Sequence, residues 1–449
     1  MSSELRAMFL LAWPVVLAEM GWVLMGIVDI RMVGPIGPAA IAAVGNGTLL
    51  FIWVVMPGIG TLLALDTFIS QSYGAGRIDE CHRWLFAGVQ LAAMLAVVIT
   101  GLSLTLVALL PRLGFHPDVL AEIRPYMWHL KWSVGPLLAY FAFRRYLQAL
   151  HIVRPVAIAL VLANLVNWLA NWLFVTGNLG MPALGVIGSA YATVASRLLL
   201  AVFCGALIWR RERANPSGLW DVPFTIDWSR IAAILRLGAP AAGQLLLEVG
   251  VFAVVGALAG RITPEAAAAN TIVLNIIAFI FMIPYGIGTA AAVRVGHAIG
   301  RRDPAGARRA GWAAILMTLA VMTMSAVLLA SGPAVLIREF SGDLEVIEIG
   351  LGLMLVAAVF QLFDGLQAVT TGALRGLGDT KRPMIWNFVG HWTIGLPIAY
   401  WLCFGRDWGV QGLWTGLCAG IIVVGSVLLW TWHAQSRAVI PSAVSGARP

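Results

Sequence analysis

The sequence predicts an all-α polytopic membrane protein with twelve transmembrane helices arranged as two pseudo-symmetric lobes of six. The first observation behind this prediction is composition: of 449 residues, 60% are hydrophobic and only 11% are charged. The mean hydropathy is +0.88, whereas about a quarter of the residues in a soluble domain are charged. The second observation is a series of apolar runs, each long enough to cross a bilayer, which takes ~20 helical residues. The third is a repeat between the two halves of the chain.

The predicted spans form two sets of six. The first set covers approximately residues 7–33, 39–70, 84–111, 121–150, 155–175 and 185–209, and the second covers 229–257, 263–294, 308–332, 343–375, 383–404 and 409–434. We therefore expect an N-lobe at 1–209, a cytoplasmic inter-lobe linker at 210–228, a C-lobe at 229–434 and a flexible tail at 435–449. The first apolar run has no small-residue cleavage site, so it is interpreted as a span and not as a signal peptide.

The basic residues predict the orientation of these spans. With the N-terminus inside, 21 of the 29 Lys and Arg residues fall in cytoplasmic segments or span ends, six fall outside and two, Lys131 and Arg197, fall within spans. Cytoplasmic loops of membrane proteins carry such an excess of basic residues. An even number of spans and two cytoplasmic termini follow. The net charge of +8 is thus explained by topology and does not indicate nucleic-acid binding.

Landmarks recur between the halves at nearly constant offsets. The matched pairs are Pro14 with Pro240 (offset 226), Gly76–Arg77 with Gly300–Arg301 (224), Gly185–Val186 with Gly409–Val410 (224), and Arg154–Pro155 with Arg382–Pro383 (228). Six spans per repeat leave both halves facing the same way. We therefore expect two lobes related by an axis along the membrane normal, with a cleft between them, as in transporters that rock one bundle against the other.

Two acids lie near the middle of predicted C-lobe spans. Asp364 precedes Arg375 by eleven residues, which at ~1.5 Å per residue places it ~16 Å from the basic turn, and Glu248 lies midway between Arg236 and Arg261. Charges at membrane depth are costly and usually functional, so this pair is predicted to bind a cation or exchange a proton. The alternative is a protonated acid that holds helices together. Candidate substrate-lining residues around the pair are Gln244, Phe252, Asn275, Tyr285, Phe360, Gln361 and Gln367, which core packing also explains.

A second polar set lies in the N-lobe. Asp29 is near the outer end of the first span, and the fifth span carries Asn164, Asn167 and Asn171, the last two on one helix face. Thr193 of the sixth span adds a hydroxyl. A carboxylate with neutral oxygens suits a hard cation such as sodium, or a proton relay. Polar contacts between helices are the alternative.

Four further charges are predicted to lie within first-half spans: Glu19, Asp66, Lys131 and Arg197. Opposite charges at membrane depth usually pair, so a structural ion-pair cluster is expected. The four cysteines show no paired spacing and are expected to pack without disulfide or metal roles. The GIG stretches at 58–60 and 286–288 are interpreted as close-packing sites.

Several stretches together resemble the multidrug and toxic compound extrusion (MATE) transporters. They are VDIRMVG (28–34), FISQSYGAGR (68–77), RRYLQALHIVRP (144–155), AAVRVGHAIGRRD (291–303) and FDGLQAVTTGALRGLGDTKRP (363–383). The resemblance covers almost the whole chain at consistent spacing. Acids at both Glu248 and Asp364 are similar to the NorM-like branch rather than the DinF-like branch.

This resemblance implies a MATE-type fold and a multi-pass antiporter of the inner membrane that exports amphipathic organic cations, driven by inward flow of Na+ or H+. It implies cation coupling at Glu248 and Asp364 and, in the N-lobe, at Asp29, Asn167, Asn171 and Thr193. The chain departs from the family pattern at Ile30 and Arg31, which follow Asp29, and at Phe360, where some relatives carry Tyr. Asp66 resembles an acid found in a branch of bacterial and plant-like members.

The expected activity is therefore secondary-active export by alternating access, with no cofactor besides the coupling ion and with a monomer in the lipid bilayer. One alternative is a lipid-linked sugar flippase of the same superfamily, which would need a basic cavity for a pyrophosphate. Another is an intramembrane enzyme. The chain has no H-E-x-x-H, G-x-S-x-G or Walker motif, and no sequence partner is evident for His391, so an enzyme is not expected.

Overall fold

In a computed structural model of the chain, residues 2–445 are described, and they form helices joined by short turns, with no strand among them. The α-helices are α1 (Ser2–Val33), α2 (Pro38–Leu62), α3 (Ala64–Gly74), α4 (Ile78–Leu109), α5 (Pro117–Leu130), α6 (Val134–Ala149), α7 (Arg154–Phe174), α8 (Val186–Ala214), α9 (Trp228–Ala259), α10 (Pro264–Gly300), α11 (Pro304–Ser331), α12 (Pro333–Arg338), α13 (Leu344–Leu377), α14 (Lys381–Asn387), α15 (Leu396–Tyr400) and α16 (Gly409–Ser445). Two π-helical segments, Phe388–Gly395 and Trp401–Gly405, continue α14 and α15.

Ten helices of the described chain are long and apolar enough to cross a membrane. Two further helical runs correspond to the remaining predicted spans. The first run consists of α5 and α6, which are joined by the tight turn Lys131–Ser133. Several charged residues lower the hydropathy of this run. The other runs from Lys381 to Gly405, where π-helical turns interrupt the α-helix. The prediction of an all-α polytopic membrane protein is confirmed, and α12 is an additional short helix that the sequence analysis did not predict.

The last helix extends beyond its predicted end. α16 continues to Ser445, so the predicted flexible tail at 435–449 begins inside a helix. Residues 446–449 lie outside the described part of the chain. The predicted linker at 210–228 is also shorter in the structure, since α8 ends at Ala214 and α9 begins at Trp228.

Local sequence explains where several helices begin. Proline stands in the first turn of α2, α5, α10 and α11, where its missing N–H removes no helical hydrogen bond. The side chains of Thr263, Asp303 and Asp343 accept hydrogen bonds from backbone N–H groups of the helices that follow them. These caps satisfy donors that have no partner within the helix.

The helix ends also repeat between the halves. His151 (φ 62°) and Gly378 (φ 91°) are both left-handed, and the N–H of the following residue bonds back to Leu147 in one case and Leu374 in the other, at 2.8 and 3.0 Å. This is the Schellman arrangement of a helix C-terminus. A second matched pair has its left-handed residues at Gly76 (φ 74°) and Arg302 (φ 57°). The backbone thus aligns Gly76 with Arg302, at an offset of 226, and not with Gly300 as the sequence comparison suggested.

The chain divides into two compact units. One, here the N-unit, is Leu17–Ala242, and the other, here the C-unit, comprises Met1–Val16 and Gly243–Pro449 as far as they are described. Both divisions lie inside helices, two residues after Pro14 in α1 and two residues after Pro240 in α9. Proline removes a hydrogen bond from a helix interior. The units therefore differ from the predicted lobes, whose division was placed in the 210–228 linker.

Each unit has its own apolar core, which holds the helices that carry polar groups. In the N-unit, Phe51, Leu65 and Tyr126 are among the buried residues that pack together. In the C-unit, Phe360 and Trp414 lie at the centre, and their rings are 5.9 Å apart in an edge-to-face contact.

The segment between α8 and α9 is fixed to α4 within the N-unit. Arg230 at the start of α9 donates two hydrogen bonds to Glu80 of α4, at 2.8 and 3.1 Å, and Gln90 donates to the carbonyl of Thr225. Asp227 caps α9 by accepting from Ser229 and Arg230. Hydrogen bonds, first from the Ser229 hydroxyl and then from the Arg230 N–H, hold the pKa of Asp227 below its usual value.

Glycines allow close helix contacts in the C-unit, as the GIG stretch at 286–288 predicted. A Cβ atom at Gly372 of α13 would lie 2.0 Å from the carbonyl oxygen of Gly288 in α10, and one at Gly286 would meet the backbone of Val16. Because the obstructing atoms are backbone, a side chain at these positions cannot be accommodated by a change of rotamer.

We expect Gly372→Ala to lower the free energy of unfolding by about 1–3 kcal/mol, the usual cost of overpacking. Thermal unfolding of the detergent-solubilised protein, followed by tryptophan fluorescence, measures this. Gly101→Ala is the control, because a Cβ atom there meets nothing within 4 Å. Equal melting temperatures for the two variants would contradict the close contact.

Candidate functional site

The N-unit holds a buried carboxylate with three side-chain donors. Asn167 and Asn171 of α7 donate to one carboxylate oxygen of Asp29, at 3.0 and 2.7 Å, and the Thr193 hydroxyl of α8 donates to the other at 2.8 Å. All four side chains are buried. The structure thus brings together the four residues that the sequence analysis grouped, and their role in cation coupling stays a prediction.

The two amides present their nitrogen atoms to Asp29. Their N–H2 groups face Asp29, whereas both amide oxygens have no hydrogen-bond partner among the described residues. Donors facing a carboxylate stabilise its charged form without a cation. Sodium prefers oxygen ligands, as hard cations do, so sodium binding here requires the amides to turn their oxygens toward Asp29.

A basic side chain lies near the same carboxylate. Arg197 is one turn after Thr193 on α8 and acts electrostatically on Asp29. Its guanidinium donates to Ser133 at 2.6 Å and lies over the ring of Phe51. It therefore contributes positive charge to the site without forming a direct ion pair with Asp29.

The C-unit holds the second predicted site. Glu248 of α9 and Asp364 of α13 are both buried, and each carboxylate lies within electrostatic range of the other. Gln367, one turn after Asp364, donates to Glu248 at 3.2 Å. Among the described residues, neither acid has a Lys or Arg within ion-pair distance. Two acids without a protein counter-charge in an apolar unit favour the uptake of an external cation.

The candidate lining residues of the C-unit differ in their surroundings. Gln244, Gln361 and Gln367 are buried and hydrogen-bond to Thr371, Ser325 and Glu248. Phe360 is fully buried between Phe252 and Trp414, so it belongs to the apolar core and is not available to line a cavity. Asn275 is exposed on α10, and Tyr285 packs against Phe281.

Comparison with known proteins decides the family. The MatE family profile matches residues 14–173 and 240–401. The chain is 34% identical to a protein named Probable multidrug resistance protein NorM from Mesorhizobium japonicum, across 98% of this chain and 96% of the relative. It is 33% identical to a protein of the same name from Bradyrhizobium diazoefficiens, across 96% and 93%.

This chain belongs to the MatE family.

Solved structures show the same fold. The eukaryotic MATE transporter AtDTX14 aligns with a TM-score of 0.86 at 22% identity, covering 98% of this chain and 99% of that one. A MATE protein in complex with MaL6 aligns with a TM-score of 0.89 at 18% identity, covering 98% and 97%. The predicted MATE resemblance is confirmed, including its NorM-like branch. As a MATE protein, the chain is a multi-pass membrane transporter and not an enzyme.

The predicted charge cluster of this MATE protein is wrong in its pairing. Glu19 pairs with Arg144, and Asp66 pairs with Arg145 at 3.3 Å. Lys131 instead donates to the carbonyl of Trp128 and lies 3.5 Å from the centre of its ring. Arg144 and Arg145 are at most 1% exposed, although the sequence analysis assigned them to the cytoplasmic end of a span. The guanidinium groups of these two arginines, on the buried face of α6, lie beside Glu19 and Asp66 in place of Lys131 and Arg197.

The two candidate sites occupy different positions of the internal repeat. Asn164 donates to the carbonyl of Gly21, and Trp392 donates to the carbonyl of Leu247, at 2.9 and 3.0 Å. These bonds match the halves at offsets of 228 and 226. At these offsets the residues equivalent to Asp29, Asn167 and Asn171 are Val255, Gly395 and Ala399. At the offset of 224, which matches Gly185 with Gly409, the residue equivalent to Thr193 is Leu417. All four equivalent residues are buried and apolar.

The acid pair of the second half likewise has no polar equivalent pair in the first half. In the N-half, the residues equivalent to Glu248, Asp364 and Gln367 are Trp22, Leu137 and Tyr140. Trp22 packs against Phe141, and Leu137 and Tyr140 are buried. Each half of the repeat therefore carries one polar site, and apolar residues fill the equivalent position of the other half.

Sequence reasoning considered His391 but missed Asn387, a second buried polar group, which lies at the end of α14. Asn387 and His391 are 0% and 1% exposed, and no described residue hydrogen-bonds to their side chains. Asn387 and His391 are four residues apart, which places them on one helix face. This spacing is the signal in the sequence that could have identified them as a pair.

We expect Glu19→Gln to lower the free energy of unfolding by about 3–5 kcal/mol, because it removes the carboxylate charge that neutralises the buried Arg144 guanidinium. Thermal unfolding in detergent measures the loss. The double variant Glu19→Gln/Arg144→Met is the control: it removes both charges and should recover most of the stability. A single variant as stable as the unmodified protein would show that the ion pair is not formed.

Proposed function

We propose that this MATE protein is a secondary-active multidrug efflux antiporter, which exports amphipathic organic cations in exchange for Na+ or H+ by alternating access. The observation that carries the proposal is the Glu248–Asp364 pair, two buried acids with no basic partner among the described residues. The names of the relatives, which describe multidrug resistance, support the substrate class.

The acid pair provides a way to couple two flows. In apolar surroundings two neighbouring carboxylates cannot both remain charged without a counter-ion. A proton, a sodium ion or the cationic group of a substrate can each supply the positive charge that the two carboxylates require. When the coupling ion occupies the pair, the organic cation loses its counter-charge and leaves. When the ion leaves, the acids attract the next substrate, so competition for one pair links the flows.

The Asp29 site has a different role in this proposal. Its carboxylate already accepts three hydrogen bonds from α7 and α8, which leaves no side of it free for a bulky organic cation. A small ion can enter if the amides rotate. We therefore assign Asp29, Asn167, Asn171 and Thr193 to the coupling ion alone. In this proposal, binding of the ion shifts α7 and α8 relative to α1.

The proposal includes a location and an orientation. The excess of Lys and Arg in alternate loops supports two cytoplasmic termini, and the bacterial relatives support the inner membrane. The active unit is proposed to be a monomer, because the side chains that donate to Asp29 and to Glu248 belong to the same chain as these acids.

A flippase for a lipid-linked sugar remains the second candidate and is disfavoured by charge. A pyrophosphate requires basic side chains that are free to bind it. The buried Arg144 and Arg145 are already paired with Glu19 and Asp66. The acids at Glu248 and Asp364 would repel such a substrate.

We expect efflux of a fluorescent cationic dye from proteoliposomes when a sodium gradient and a pH gradient are imposed separately, and one of the two should drive it. Asp364→Asn and Glu248→Gln should reduce gradient-driven efflux to the level of protein-free liposomes, because each removes a charge from the pair. Glu348→Gln is the control, since this carboxylate lies on the same helix but is exposed. No dye movement under either gradient, or full activity in both pair variants, would refute the proposal.

We expect Asn171→Leu to weaken the affinity for the coupling ion by about 10- to 100-fold, as loss of a supporting ligand contact usually does, with little change in dye affinity. The concentration of sodium or protons that gives half-maximal dye efflux measures this. Asn164→Leu is the control, because Asn164 donates to the Gly21 carbonyl and not to Asp29. An equal effect of both substitutions would indicate general damage to α7.

A further inference from the structure

Four helices of the C-unit enclose a common interior. α13 meets α9 through the Gln367–Glu248 hydrogen bond and meets α16 where Gly425 approaches the carbonyl oxygen of Phe363. The run that begins with α14 meets α9 through the hydrogen bond from Trp392 to Leu247. It meets α16 where Gly390 approaches Val424. Each of α9 and α16 thus contacts both α13 and the run that follows α14.

His391 and Asn387 point into this interior. His391 lies between Gly390, which faces α16, and Trp392, which faces α9. Asn387 is one turn earlier on the same face. Their near-complete burial excludes that they face lipid. The direction of the His391 side chain therefore follows from the contacts of Gly390 and Trp392 together with the burial of His391 itself.

The enclosed polar atoms are not satisfied by protein. The side-chain nitrogens of His391, both polar atoms of the Asn387 amide, the Gln367 amide oxygen and the Thr370 hydroxyl all lack a partner among the described residues. Buried polar groups in native proteins are almost always hydrogen-bonded, to protein or to internal water. Six such atoms on two sides of one interior exceed what an apolar core tolerates.

These atoms also span a range of depths. At ~1.5 Å per residue, Asn387 lies ~9 Å and His391 ~15 Å from Lys381, while Asp364 lies ~16 Å from Arg375. His391 is therefore near the level of the acid pair, and Asn387 and Thr370 are closer to the basic turn that joins α13 to α14. The polar atoms form a descending series from the acids toward that turn.

We propose that Asn387, His391, Gln367 and Thr370 hold a file of internal water molecules that connects the Glu248–Asp364 pair to the side of the membrane where Lys381 lies. Water is the ligand that fits, because the group offers donors and acceptors in mixed order and no carboxylate besides the pair itself. His391 is suited to the end of the file next to the acid pair, since a neutral imidazole donates from one nitrogen and accepts at the other. The water file stands on the contacts above, and its use as the cytoplasmic route of the coupling ion rests on the proposed function.

Radiolytic hydroxyl labelling of the purified full-length protein in 18O-water, read by mass spectrometry, tests the water file. His391 should be labelled on the millisecond timescale despite its burial, because bound water next to it produces the radical locally. Phe360 and Trp414 are the internal controls: both are reactive and fully buried in the dry core of the same unit, and they should remain unlabelled. His391 labelled no more than Phe360 would overturn the water file.

Substitution at a single position tests the route. His391→Leu replaces the polar atoms with apolar ones and should slow gradient-driven dye efflux by about tenfold, the effect of losing one water-mediated hydrogen bond on the rate-limiting ion step. His391→Asn keeps donor and acceptor atoms and should retain most of the rate. Dye affinity should be the same in both variants.

The outcomes separate this inference from the proposed function. If the unmodified protein moves no dye, the antiporter proposal fails, while labelling of His391 still decides the water file. If dye moves under a gradient and His391→Leu matches the unmodified protein, the route is overturned and the antiporter proposal stands.

Discussion

The cost of a charge in hydrocarbon determines where polar side chains lie in this protein. Every charge inside a span requires a partner or a counter-ion, and the buried acids of this protein meet the requirement in three ways. Glu19 and Asp66 are neutralised by arginines of α6. Asp29 is surrounded by neutral donors. Glu248 and Asp364 have only each other and Gln367. The first arrangement pairs each acid with a base, the second gives the acid neutral donors, and the third leaves two acids without a basic partner among the described residues. The proposed antiport depends on this third arrangement.

The apolar scaffold makes these differences possible because it holds each helix in a defined register. Glycine contacts such as Gly288 with Gly372 bring backbones together, and matched turns at His151 and Gly378 end equivalent helices in the same way. On this common framework, a change of one side chain alters the chemistry without moving the helix. The two halves therefore share matched helix ends, but they differ in their polar sites and in the π-helical turns of the second half.

Much of this arrangement could be predicted from the sequence. Apolar runs and basic loops located the helices, and the spacing of Asn167 and Asn171 on one face, with Asp29 and Thr193, grouped four residues that do meet. The partners of Glu19 and Asp66 could not be predicted, because arginines near a span end are equally consistent with a loop signal, and only packing turns Arg144 and Arg145 inward. The core position of Phe360 could not be predicted for a related reason: one helix face contains both core and cavity positions, and the contact with Trp414 decides between them.

The apolar counterpart of the Asp29 site has a consequence for the history of the chain. Val255, Gly395, Ala399 and Leu417 fill that position in the second half, and no single substitution rebuilds the site there. An acid at Val255 alone would be buried without donors, and asparagines at Gly395 or Ala399 alone would crowd α16, since Gly416 approaches Ala399 closely. Each of these first steps would therefore cost stability before any site is gained. An asymmetry of this kind between two duplicated halves is hard to reverse one residue at a time.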